Sequence, residues 1–162
     1  MPARRFEHSR YRKPLGCFKL FFDSEVYELL LTHTNVNGHR KYDDWVDCDR
    51  PMMMALIGTL IRMAFMPARD ITHYWHNELG WDPVRTIWSR NRFTRLLWTL
   101  HTETSDQPHT ESVSDRLWDV QPLCDLLNER FAAAMRPPRE VVCDETMVAY
   151  RGQHDSFRKM DS

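Results

Sequence analysis

The 162-residue chain has little of what announces most small enzymes and metal-built folds. Its four cysteines, Cys17, Cys48, Cys124 and Cys143, stand far apart with no CxxC pair, so neither a zinc site nor a disulfide framework is indicated and a reducing compartment is the default. Glycine is scarce, five in all, with no phosphate-cradling loop and no nucleophile elbow, which leaves a small-molecule enzyme with little support. Charge of one sign is lacking too: the net charge is −1, and bulk electrostatics announce no nucleic-acid partner. The most apolar run, Met52 to Met66, is shorter than a membrane span, contains Gly58 and Arg62 and stops at Pro67. It reads as a buried helix, and no membrane partner is expected. The amino terminus is basic and polar without an apolar core segment, which argues against export.

What is present is aromatic and locally charged. Six Trp and eight Phe in a chain that is 42% hydrophobic fit a globular protein able to bury a core. The most informative stretch runs from Val141 to Gly152, where Asp144 sits among Val141, Val142, Met147, Val148 and Tyr150. Those residues give β-propensity, Arg151-Gly152-Gln153 supplies a turn, and a second short run follows from His154 to Met160, so a C-terminal hairpin is predicted. A carboxylate inside an apolar strand costs several kcal/mol, roughly, unless it is compensated. Two readings of Asp144 stand: a metal or catalytic ligand, or a carboxylate tied by Arg or backbone N–H groups.

Upstream the patterning is helical. Asp23 or Ser24 can cap a helix whose Val26, Leu29, Leu30 and His33 share a face, with Asn35 to Gly38 as its end. Gly38 to Arg50 is a polar connection, after which Pro51 starts the second helix in its first turn. Pro67 to Pro83 reads as irregular backbone with a short helical turn pinned by Tyr74, Trp75 and Trp81, with stacking on DNA bases as the sharper alternative. From Ser89, Phe93, Leu96, Leu97 and Leu100 form an apolar stripe, with Arg90, Arg92 and Arg95 off it. Thr102 to Ser114 is a surface loop; Leu117 and Val120, then Leu123, Cys124, Leu127 and Phe131, describe helices separated or kinked at Pro122, and Pro137-Pro138 ends the helical part.

Arg4, Arg5, His8, Arg10, Arg12 and Lys13 make a basic arm, and Asp43, Asp44, Asp47 and Asp49 an acidic patch around Trp45. The arm is either a solvated tail or a phosphate contact, and the α-helical arginines Arg90, Arg92 and Arg95 pose the same choice; arginine's fork suits phosphate. His73 and His76 flank Tyr74-Trp75 without third and fourth ligands and read as surface histidines.

Five separated blocks, in order, resemble the piggyBac-type transposases, DDE-type enzymes with an RNase H-like catalytic fold. They are Leu20-Phe21-Phe22-Asp23 with Thr34-Asn35; Pro67-Ala68-Arg69-Asp70 with Tyr74-Trp75; Asn91-Arg92-Phe93 leading to Leu100-His101; Asp115-Arg116-Leu117-Trp118 with Val120-Gln121-Pro122-Leu123; and Asp144-Glu145 with Met147-Val148 and Arg151-Gly152. The resemblance implies a mainly α chain with a short C-terminal β-hairpin. In that division residues 1–14 are a basic arm, 15–138 a helical dimerisation and DNA-binding-like region, and 139–162 the first strands of a truncated RNase H-like domain.

It also implies transposition by metal-dependent strand cleavage and transfer, with transposon-end DNA as partner, a homodimer, and a nuclear location. Asp144 would be the first acidic ligand of two Mg2+ (or Mn2+) ions, and Glu145, on the opposite face, a supporting residue at most. Asp155 and Asp161 do not match the family's later acids, and Gln121 stands where a basic residue is common. This polypeptide alone is therefore expected neither to hold the ions stably nor to cut DNA. No counterpart of the cysteine-rich zinc domain of such relatives is found, so zinc is not expected. The competing expectation is a noncatalytic helical protein-interaction module derived from a transposable element.

Overall fold

The computed structural model describes residues 13–76, 80, 82–103, 119–134, 140 and 142. Its elements are helices: α1 (Pro14–Phe21), α2 (Ser24–Lys41), α3 (Arg50–Phe65), a 3-10 turn (Ile71–Trp75), α4 (Asp82–Ile87), α5 (Arg90–Thr99) and α6 (Gln121–Ala134). Starts are set by local chemistry. Asp23 accepts from the N–H groups of Glu25 and Val26 at the head of α2, Asp49 from Met52 at α3 with Pro51 in the first turn, and Ser89 from Arg92 at α5.

The long helix α2 is central, packed by α3, α5 and α6. Its buried Val26, Leu30, Thr34 and Gly38 recur every four residues and so share one face. Opposite them lie Met53, Leu56 and Met63 of α3 and Phe93 and Leu96 of α5. Trp75, Trp88 and Phe93 close the far end, with ring centroids 5.2 Å apart for Trp75 and Phe93 and 5.9 Å for Trp88 and Phe93. Buried polar atoms there are satisfied: Trp75 Nε1 donates to the Trp88 carbonyl at 2.7 Å and Trp88 Nε1 to Thr59 Oγ1 at 3.0 Å. Tyr74 pins the preceding loop, accepting from the Ala68 N–H at 3.0 Å and donating to the Met66 carbonyl at 2.6 Å. Pinning is thus the role of Tyr74 and Trp75; Trp81 lies outside the described residues.

Three expectations need correction. Among the described residues there is no strand, which overturns the C-terminal β-hairpin and the RNase H-like strands. Of 139–162 only Glu140 and Val142 are described, neither in a strand, and Val142 is 95% exposed. β-propensity is a preference for a pleated, half-buried surface, and Val142 has no such surface against it. The remainder of that segment, Asp144 and Glu145 included, lies outside the described residues, as do residues 104–118 and Pro137-Pro138.

Helix α2 does not end at Asn35 to Gly38 but runs on to Lys41, because those residues are held by tertiary contacts. Asn37 Nδ2 donates to the Thr99 carbonyl at 2.9 Å, and a Cβ built on Gly38 would lie 2.6 Å from Trp45 Nε1 and closer still to two ring carbons. Gly38 is there so that an indole can rest on bare backbone. Pro122 sits in the first turn of α6, where its missing N–H leaves no bond unmade; this agrees with a helix that begins there and not with a kink, and Leu117 lies outside the described residues. Finally, α3 is buried on one side only: Met54, Ile61 and Phe65 face outward, Phe65 at 83% exposure. Among the described residues no helix is long and apolar enough to cross a membrane.

Candidate nucleic-acid interface

The connection between α2 and α3 is folded onto both helices by one side chain. Asn35 Oδ1 accepts from the Cys48 N–H at 2.8 Å and from Trp45 Nε1 at 3.2 Å, while Asn35 Nδ2 donates to the Cys48 carbonyl at 3.1 Å. The amide thereby serves as a substitute peptide group for a segment with no regular structure. Cys48 is buried, and burial, assisted by the neighbouring Asp49 carboxylate, pushes its thiol up to about 12.

The acidic patch dissolves into separate tasks. Asp49 caps α3, Asp47 lies 2.8 Å from His39 Nε2, and Asp44 meets Arg95. Both ends of the Arg95 fork are engaged: Nη1 donates to Asp44 Oδ2 at 3.0 Å and Nη2 to Asp44 Oδ1. The guanidinium also lies 4.1 Å from the centroid of Tyr42 and 5.8 Å from that of Trp45, a cation–π stack. The Arg95 fork holds the Asp44 carboxyl below its ordinary value, and Asp44 in turn raises that of Arg95. Arg95 Nε is buried without a hydrogen-bond partner.

Beside this pair an open groove of about 400 Å³ runs between the connection and α5, walled by Val46, Met52 and Leu96 and by Arg92, Arg95 and Asp44. Arg92 reaches Met52 Sδ at 3.8 Å, and among the described residues it has no carboxylate partner. Arg90 and Arg92 are exposed. Lys13, also exposed, is the N-cap of α1 and makes no side-chain cap bond. Arg4, Arg5, Arg10, Arg12 and Asp144 lie outside the described residues. Of the predicted site residues that are described, Arg92 and Arg95 meet in one groove.

A second charged cluster ties the bundle together. Arg130 of α6 donates through Nε to Asp23 Oδ2 at 2.7 Å, through Nη2 to Glu25 and through Nη1 to Glu129 at 3.0 Å. Burial raises the Asp23 carboxyl, but the Arg130 bond and the two backbone N–H groups outweigh it and the net displacement is downward. The sequence assigned no partner to Asp44, Asn35 or Arg130, because each acts on a residue distant in the chain.

Among the described residues no group of three or more His, Cys, Asp or Glu side chains could hold a metal ion. Asp144 lies outside the described residues.

The family model described as Transposase IS4 matches residues 13–161. The chain belongs to that family, and it is of the piggyBac type. It is similar to the PiggyBac transposable element-derived protein 5 of Homo sapiens, 23% identical over 139 residues that make up 81% of this chain and 26% of the relative. The chain thus spans about a quarter of that relative's length. No solved structure matches it. The resemblance to the piggyBac-type family is confirmed, and several residues of the five blocks have packing tasks. Thr34 Oγ1 accepts from the His101 N–H at 3.3 Å, Asn35 clamps Cys48, and Trp75 packs on Phe93.

Proposed function

We propose that this chain is the helical, DNA-contacting portion of a piggyBac-like DNA transposase. The observation that carries the reading is the family match over residues 13–161 together with the arginine face of α5, whose Arg90 and Arg92 are exposed. Residues 1–14 act as a basic arm with Arg4, Arg5, Arg10, Arg12 and Lys13 on phosphates, residues 15–138 as the binding region, and residues 139–162 carry Asp144. The setting is the nucleus. Contacts of this kind are sequence-tolerant and salt-dependent, because each neutralised phosphate releases counterions.

Strand cleavage and transfer belong to the longer enzyme, with Asp144 as one ligand of Mg2+ or Mn2+. A single carboxylate supplies no two-metal geometry, so these 162 residues alone neither cut nor join DNA. Incubation of the purified chain with either ion and transposon-end DNA tests this: Asp144-dependent cleavage would overturn it. DNA binding is tested by titrating a labelled random-sequence duplex. Affinity should fall linearly with the logarithm of salt and drop for Arg90→Ala and Arg92→Ala, and no association at low ionic strength would refute it.

The outward Met54, Ile61 and Phe65 of α3 favour a second reading, a helical module that self-associates or holds a protein partner. Sedimentation of the chain and of Ile61→Asp/Phe65→Asp decides: a dimer that the double variant dissociates supports it, and a monomer at all concentrations excludes self-association.

A further inference from the structure

Arg92 and Arg95 stand three residues apart on the groove side of α5, so their side chains are neighbours. Their circumstances differ. Arg95 has both Nη groups of its fork filled by Asp44, whereas among the described residues Arg92 reaches the thioether of Met52, a weak acceptor. A guanidinium fork takes a carboxylate and a phosphate in the same two-pronged geometry. The Asp44 side chain is 81% exposed, and the segment that bears it is secured elsewhere, by Trp45 on Gly38 and by Asn35 on Cys48. Asp44 can therefore leave Arg95 without opening the core.

We infer that this groove is a docking site for DNA backbone phosphates that the chain keeps half closed, the Asp44 carboxylate occupying in the Arg95 fork the place a phosphate takes. Arg92 makes the first phosphate contact. Arg95 makes the next only when the phosphodiester displaces Asp44, so Asp44 sets both affinity and salt dependence. This rests on the DNA-binding reading above and adds to it a named competitor within the chain.

The test is fluorescence anisotropy of a labelled random-sequence duplex titrated with the full chain and with Asp44→Asn, Asp43→Asn, Arg95→Ala and the Asp44→Asn/Arg95→Ala pair, from low to physiological ionic strength. Asp43 is an exposed acid next to Asp44, so its variant removes the same charge from the same segment. Asp44→Asn is expected to tighten binding about tenfold, the value of one charge-assisted contact, and to steepen the salt slope by about one. Asp43→Asn should change affinity less than about twofold, because an exposed carboxylate that fills no arginine fork acts only weakly through water, and the Asp44→Asn gain should vanish without Arg95. Equal gains from Asp43→Asn and Asp44→Asn, a gain that survives the loss of Arg95, or no gain at all would overturn the competitor. Absence of binding by every protein at low salt would instead sink the DNA-binding reading itself.

Discussion

Gly38 in α2 and Gly58 in α3 make opposite demands, and the same change to alanine tests both. In a helix interior, Gly→Ala ordinarily stabilises by about 0.5–1 kcal/mol, since alanine has less backbone entropy to lose. At Gly58 a Cβ would meet nothing within 4 Å, so Gly58→Ala should realise that gain and raise the melting temperature by about 1–4 °C. At Gly38 the same methyl would lie 2.6 Å from Trp45 Nε1, well inside contact distance, and the indole must move. Full deletion of a buried Trp side chain costs about 3–5 kcal/mol. Trp45 is half-buried, so its displacement costs about 2 kcal/mol, and the lost bond to Asn35 adds about 1 kcal/mol. Set against the helix gain, Gly38→Ala should destabilise by about 2 kcal/mol and lower the melting temperature by about 4–8 °C. Circular dichroism melts of the two variants provide the comparison, and a Gly38→Ala/Trp45→Ala cycle isolates the clash. Equal or higher stability of Gly38→Ala relative to the parent would refute the seating of Trp45 on Gly38.

Asn35→Ala leaves the Cys48 N–H and carbonyl unpaired and should destabilise by about 2 kcal/mol in urea unfolding; a loss below half of that would deny the clamp. Asp23→Ala removes the α2 cap at about 1 kcal/mol. Because the folded Asp23 carboxyl lies below its ordinary 3.8, its contribution is complete above that value and is lost as pH falls through the lower folded one. Asp23→Asn should therefore flatten the acid limb of stability below about pH 4, and parallel limbs would contradict the pairing with Arg130. Iodoacetamide at pH 8 should label exposed Cys17 and spare Cys48, whose thiol is pushed up to about 12, until denaturant is added. Rapid native alkylation of Cys48, read by mass spectrometry, would contradict its burial.

Helix starts were legible because capping is local chemistry. Asp23 as the cap of α2 and Pro51 in the first turn of α3 each act within about three residues, whereas the caps Asp49 and Ser89 were not read as such. The apolar stripe of α5 was legible for the same reason, and Phe93 and Leu96 are buried as its spacing requires. Gly38 misled, since a glycine near polar residues looks like a helix end while its use here depends on an indole seven positions later. The site was half legible. Arg92 and Arg95 could be placed on one helix, but the Asp44 partner of Arg95 is 51 residues away, and nothing in local pattern selects it from four neighbouring acids. Val142 shows the same limit for β-propensity, which needs a pairing surface that a single segment does not specify.

Arg130 reaches the head of α2 from 107 positions downstream, and this orders assembly during synthesis. While the ribosome is still making the later helices, the entrance of α2 carries Asp23 and Glu25 with no cation between them. Only when α6 leaves the exit tunnel does the guanidinium arrive and fasten α6 to the head of α2, so this closure follows the packing of α2, α3 and α5. A nascent chain stalled before Arg130 would show amide exchange at the start of α2 while its middle, already packed on α3 and α5, stays protected.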